Sequence, residues 1–188
     1  MTTILGIDPG LTRLGVGVVR QGGGRTVSLV HVEVLRTPAT AEISHRLGTL
    51  SGALDELLAR FNPDIVALER VFAQHNVRTV MGTAQVSGVV LALAHARSIP
   101  VSLRTPSEVK AAVTGHGRAN KQQVGTMVAR ILGLAEVAQP ADAADALALA
   151  ITEAWRGVAP ASAASESTPA QKAWREAEAR AKRPKLQK

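Results

Sequence analysis

Four acidic residues stand where a carboxylate is hard to justify on structural grounds. Asp8 closes the apolar run Ile4-Leu5-Gly6-Ile7, and Glu69 closes the run Ile65-Val66-Ala67-Leu68. Asp142 and Asp145 lie three residues apart in a stretch of alanine and leucine that continues to Ala150. A charge in such surroundings costs free energy unless something compensates it. Acids drawn together from separate segments also repel one another, and a cation between them relieves that repulsion. Oxygen donors in a chain without cysteine favour Mg²⁺, with Mn²⁺ as the alternative, over zinc. Two such ions about 3.5–4 Å apart activate a water and stabilise the leaving oxygen when a phosphodiester is attacked in line. The expected chemistry is phosphodiester hydrolysis, with Asp8, Glu69, Asp142 and Asp145 as both catalytic and metal-binding groups. Singly, each acid has a plainer reading. Asp8-Pro9-Gly10 suits a turn, Glu69 suits a solvated strand end, and Asp142 and Asp145 suit the start of a helix, where the dipole favours negative charge. The four together favour one site.

The surrounding chain must fold so as to bring these groups to one place. Strand signals come first. Ile4–Asp8 reads as a short strand of a sheet centre, and Leu14, Val16 and Val18 alternate in a second strand. The glycine-rich stretch Gln21–Arg25 reads as a hairpin loop. Val30, Val32 and Val34 are expected along one face of a third strand, with His31 and Glu33 on the other. Ile43, Leu47, Leu50, Leu54, Leu57, Leu58 and Phe61 then recur at helical spacing until Asn62-Pro63 stops them. A strand over Ile65–Leu68, a helix over Asn76–Arg97 and a strand near Val101–Leu103 follow. Thr105-Pro106-Ser107-Glu108 reads as a capped helix start, Asn120 as the cap of the next helix, and Ala141–Trp155 as the last one. The order predicts an α/β fold: a five-stranded mixed sheet, its first three strands antiparallel, with helices on both faces. The strands ending in Asp8 and Glu69 are then parallel neighbours about 4.8 Å apart. Their carboxyl ends form the edge where open α/β sheets build ligand sites. Asp142 and Asp145 share one helix face, and their alanine neighbours let that helix approach the sheet.

Composition agrees with this reading. The chain has 188 residues, 46% hydrophobic but only 2% aromatic, so valine, leucine, isoleucine and alanine must pack the core. A nuclease domain over residues 1–156 and a basic, mostly disordered tail over 157–188 are expected. The tail carries +4 of the formal net charge of +7, so basicity by itself is weak support for a nucleic-acid partner. With no cysteine, no signal-like N-terminus and no apolar run of membrane-spanning length, a soluble cytoplasmic protein with no membrane partner is expected.

The blocks Leu5-Gly6-Ile7-Asp8-Pro9-Gly10, Leu68-Glu69-Arg70-Val71-Phe72 and Ala141-Asp142-Ala143-Ala144-Asp145-Ala146-Leu147-Ala148 resemble, in order and spacing, those of the RuvC-type Holliday junction resolvases. The likeness spans about residues 2–155. It implies the ribonuclease H-like fold, a homodimer, and Mg²⁺-dependent paired nicking of four-way junction DNA, with the family's acids falling on Asp8, Glu69, Asp142 and Asp145. Branch-migration proteins are implied as partners by the family alone. Some members carry histidine where this chain has Asp142. The resemblance also implies that Phe72 stacks on bases at the crossover, and that Lys110 and Lys121 lie near the scissile phosphate. Arg118, in the basic loop between those lysines, joins them as a DNA-binding candidate. Two symmetric cuts call for two sites related by a two-fold axis. The helix from Asn76 suits this. It is apolar nearly all round, with Val77, Val80, Met81 and Ala84 on one face and Val86, Val89, Val90 and Leu93 on another, so it needs a cover on both sides. Two rivals remain: a non-catalytic junction-binding protein, and an RNA–DNA hybrid nuclease of the same fold. An actin-like ATPase, which shares the first block, needs a longer chain.

Overall fold

A computed structural model of the protein describes residues 1–71 and 77–156. Phe72 and the tail from residue 157 lie outside the described residues. Strands β1 (Thr2–Asp8), β2 (Arg13–Gln21) and β3 (Val27–Arg36) form a meander, followed by α1 (Ile43–Phe61), β4 (Ile65–Glu69), α2 (Val77–Ala96) and β5 (Val101–Arg104). Helices α3 (Pro106–Thr114), α4 (Lys121–Leu132) and α5 (Ala141–Ala154) complete the described fold. The five strands run in the order β3-β2-β1-β4-β5. β1 and β2, and β2 and β3, pair antiparallel, while β1, β4 and β5 are parallel.

Side chains alternate across the sheet as strand geometry requires. Leu5, Ile7, Val16, Val66 and Leu68 pack with Leu50, Leu54 and Leu58 of α1 and with Val86 and Val90 of α2. Ile4, Val19 and Ala67 face the opposite way and pack with α3, α4 and α5. Helix α5 is buried continuously from Ala146 to Ala154. That explains its composition: a helix enclosed on every side has no solvent face to make polar.

The expected single valine face of β3 is not observed. The register of β2 against β3 shifts between Val18 and Val19, so His31 pairs with Val18 and Leu29 with Val19, leaving Val30 as the extra residue of a bulge. Val30 therefore packs toward α1 and α2, whereas Val32 packs toward α5. His31, on the α1 side, stacks on Phe61 with ring centroids 5.0 Å apart.

Helix termini follow the sequence signals. Thr105 and Asn120 each form a reciprocal capping box, with Glu108 and Gln123 respectively. Asn62 ends α1 in the left-handed conformation, one residue before Pro63. Among the described residues no helix is long and apolar enough to cross a membrane.

Candidate active site

The parallel pairing of β1 with β4 aligns Ile7 with Leu68, which sets Asp8 and Glu69 side by side at the carboxyl edge of the sheet. α5 delivers the other two acids by lying unusually close to β1 and β2. A Cβ added at Gly6 would collide with the Ala146 carbonyl oxygen, one at Gly15 with that of Asp142, and one at Gly17 with the backbone of Leu147. Gly15 is also the antiparallel partner of Asp8. The small residues on both surfaces thus bring Asp142 and Asp145 to the strand ends. Sequence reasoning identified the alanines of α5 but missed the glycines of β1 and β2 that receive them. Their signal was the alternation Gly15-Val16-Gly17, which leaves one strand face without side chains.

At the far end of α5 a partly buried ion pair ties it to β5. Arg104 at the end of β5 donates from Nε and Nη2 to Glu153 Oε2, at 2.9 and 2.5 Å. The Glu153 side chain is only 5% exposed.

Asp8, Glu69 and Asp145 line one pocket of about 200 Å³ together with Lys110 and Lys121, and Pro106, Val109 and Val124 supply its apolar wall. Asp142 lines an adjoining cleft beside Arg13. Burial is the largest cause that raises Asp8 from its ordinary value to about 7, followed by the charges of Glu69, Asp145 and Asp142, with Lys121 opposing. Glu69 is raised as well, first by burial and then by Asp145, against the pull of Lys121 and Lys110. Lys121 is raised, chiefly by its hydrogen bond to Asp145. The four acids therefore share one electrostatic neighbourhood.

They do not lie as a closed cage. Among the described residues, no three acids are gathered tightly enough to hold one metal ion jointly as they stand. Two of them are held by cations instead. Arg13 Nε lies 3.2 Å from Asp142 Oδ2, and Lys121 Nζ donates to Asp145 Oδ2 at 2.8 Å. Both cations are largely exposed, at 54% and 74%, so little packing opposes their release.

The basic candidates divide. Lys110 and Lys121 face the acidic pocket. Arg118 is exposed in the loop before α4 and lines no part of that pocket. Arg13 was missed, because a lone arginine at a strand start gives no sign of its partner.

A parallel core of β1, β4 and β5, flanked by an antiparallel β2 and β3 and carrying carboxylates at its edge, defines a ribonuclease H-like nuclease fold. Comparison with known proteins narrows the class. Residues 4–153 match the family described as Crossover junction endodeoxyribonuclease RuvC. The protein of that name from Saccharopolyspora erythraea is 63% identical over 153 residues, covering 81% of this chain and 77% of the relative. The one from Paenarthrobacter aurescens is 57% identical over 183 residues, covering 96% and 97%. Among solved structures, Thermus thermophilus RuvC in complex with a Holliday junction substrate superposes with a TM-score of 0.79 at 38% identity, over 83% of this chain and 94% of that one. The chain belongs to the RuvC family of crossover junction endodeoxyribonucleases.

Proposed function

We propose that the protein resolves Holliday junctions by paired, symmetric nicks in DNA recombination and repair, with Asp8, Glu69, Asp142 and Asp145 as the catalytic, metal-binding groups. The observation that carries this reading is the state of Asp8, a half-buried carboxyl raised to about 7 by desolvation and by the three acids around it. Such a group is out of place in a merely structural turn and in keeping with a site built for added positive charge.

The donor set fits a hard divalent cation: three carboxylates in the pocket and no histidine lining it, Asp142 in the adjoining cleft, and no thiol in the chain. Mg²⁺, two ions per site with Mn²⁺ as a substitute, is the assignment that oxygen ligands favour. Bound there, a divalent cation supplies Lewis acidity at the phosphate and a more acidic water. The chain's own residues do the rest. Asp142 and Asp145, each paired here with an exposed cation, would hold that ion together with Asp8 and Glu69. Lys110 and Lys121 line the same pocket as the acids, where both attract the scissile phosphate. Val109, Val124 and Pro106 restrict water on the far wall, which strengthens every charge interaction inside. Phe72, three residues beyond Glu69, is assigned the base-stacking role at the crossover by family resemblance, and Arg118 a more distant phosphate contact. We assign the nuclease domain to residues 1–156, with residues 157–188 as a basic appendage.

A homodimer is supported by α2. Val86, Val90 and Ala94 of this helix are buried against the sheet, while Ala84, Gly88 and Leu91 form an outward stripe at helical spacing. Leu91 is 42% and Met81 55% exposed. A second copy covering that stripe would place two sites around one two-fold axis, as symmetric nicking requires.

Incubation with synthetic four-way junction, linear duplex and RNA–DNA hybrid, each with Mg²⁺ or Mn²⁺, tests the proposal. Symmetric nicks confined to the junction are expected. Preferential cutting of the hybrid would transfer the site to the rival nuclease, and binding without cutting would leave only a junction-binding protein.

A further inference from the structure

Arg46 lies in α1 at position i−4 from Leu50, on the face the helix buries, and is only 8% exposed. Its Nε donates to Thr37 Oγ1 at 3.0 Å and its Nη2 to Thr12 Oγ1 at 2.7 Å. Thr37 Oγ1 in turn donates to the Leu11 carbonyl at 2.5 Å. Both partners of the guanidinium are thus neutral hydroxyls. Among the described residues Arg46 has no ion-pair partner, whereas the half-buried Arg104 has Glu153. A buried charge without a counter-charge is costly. A fold that needed only a staple between α1 and the strand ends could use neutral groups.

The surroundings add cations instead of cancelling this one. Arg46 lines a cleft of about 870 Å³ with Thr12, Arg13, Gln85 and Asp142. A second groove shares Thr12 and Arg13 and adds Arg36. Arg13 and Arg36 are direct cross-strand partners, a placement of like charges that destabilises a sheet. Asp142 is the only acid paired with any of the three arginines among the described residues. The Thr12 hydroxyl, which accepts from Arg46, keeps its own proton available to an acceptor in the cleft.

We infer that this cleft seats a backbone phosphate of the cleaved strand, beside the scissile one, between the Arg46 guanidinium and the Thr12 hydroxyl, with Arg13 and Arg36 flanking the next. The strand would pass from the carboxylate pocket past Asp142, which lines this cleft and whose charge reaches Asp8 in the pocket. Arg46 is then a positioning residue: it fixes the register of the strand so that one phosphodiester faces the acids. This rests on the junction-resolving reading and goes beyond it in tracing the path of the strand.

The test uses the full chain with a synthetic junction in EDTA, binding measured at several salt concentrations between about 50 and 200 mM. Arg46→Gln should reduce the slope of log affinity against log salt by about 1, the signature of one lost phosphate contact, and the exposed Arg36→Gln should reduce it too. Neutral methylphosphonate linkages are then placed one at a time along the strand beside the cleavage point. One position other than the scissile linkage should weaken wild-type binding and leave Arg46→Gln binding unchanged. Thr12→Val, which retains Arg46, should lose less than wild type at the same position. A purely structural Arg46 predicts a lower melting temperature with an unaltered salt slope and equal methylphosphonate losses in wild type and variants, which overturns the inference. Should Arg46→Gln fail to fold, the Thr12→Val and Arg36→Gln interference patterns decide it alone. If wild type cuts the junction but no position behaves in this way, only this inference falls. If wild type neither binds nor cuts, the resolvase reading falls with it.

Discussion

The desolvation of Asp8, reinforced by the acids around it, has a direct consequence for stability. Moving a carboxyl from 3.8 to about 7 corresponds to roughly 4 kcal/mol, at ~1.4 kcal/mol per tenfold change in proton affinity. The sign follows from linkage. The folded protein holds a proton on Asp8 up to about pH 7, while the unfolded chain releases it near 3.8. The fold therefore suffers no penalty below the unfolded value, a growing one as pH rises, and the full one above pH 7. Asparagine is neutral throughout and escapes it. A domain of this size gains about 2–4 °C in Tm per kcal/mol. Asp8→Asn should then melt about 10 °C above wild type at pH 8.5 in EDTA, and at pH 5 show less than half of that gain. Adding Mg²⁺ should raise wild type toward the variant and leave the variant unmoved. Cleavage should be lost while junction binding persists. Calorimetry at the two pH values checks the stability claim. An equal gain at both, or a loss at pH 8.5, would refute the argument that desolvation and the neighbouring acids hold Asp8 protonated in the fold.

Other consequences test the elements that carry the site. Gly15→Ala sets a Cβ against the Asp142 carbonyl; it should cost about 1–3 kcal/mol by overpacking and reduce cleavage more than binding, as urea melts and nicking assays will read. Glu153→Gln should destabilise by about 1–3 kcal/mol, because it leaves the half-buried Arg104 without its charge partner; joint replacement of both residues by apolar ones should recover most of that loss. Leu91→Glu, on the outward stripe of α2, should convert a dimer to a monomer in sedimentation and abolish paired nicking without lowering Tm.

Most of the architecture was legible because it depends on local signals. The run Ile4–Ile7, the heptad-like leucines of α1 and the capping boxes at Thr105 and Asn120 each declare an element through side chains a few residues apart. Asp8 and Glu69 could be joined because parallel strands separated by a helix end at the same edge. What escaped depends on partners distant in sequence. The bulge at Val30 exists only through pairing with Val18 and Val19, so strict alternation misassigned the valine faces of β3. Arg13 gains meaning only when α5 brings Asp142 within 3.2 Å. Arg46 did leave a trace, a charged residue on the buried stripe of an amphipathic helix, but its hydroxyl partners come from the strand ends. Gly15 and Gly17 left the complementary trace, a strand face with no side chains that only a closely packed helix can cover.

The central claim is that Asp8, Glu69, Asp142 and Asp145 jointly hold divalent cations at the sheet edge. Anomalous diffraction from crystals of the protein with junction DNA and Mn²⁺ tests it most directly. The account predicts manganese peaks among those four carboxylates, with Arg13 and Lys121 turned away from Asp142 and Asp145. Manganese bound elsewhere, with both ion pairs intact, would contradict it.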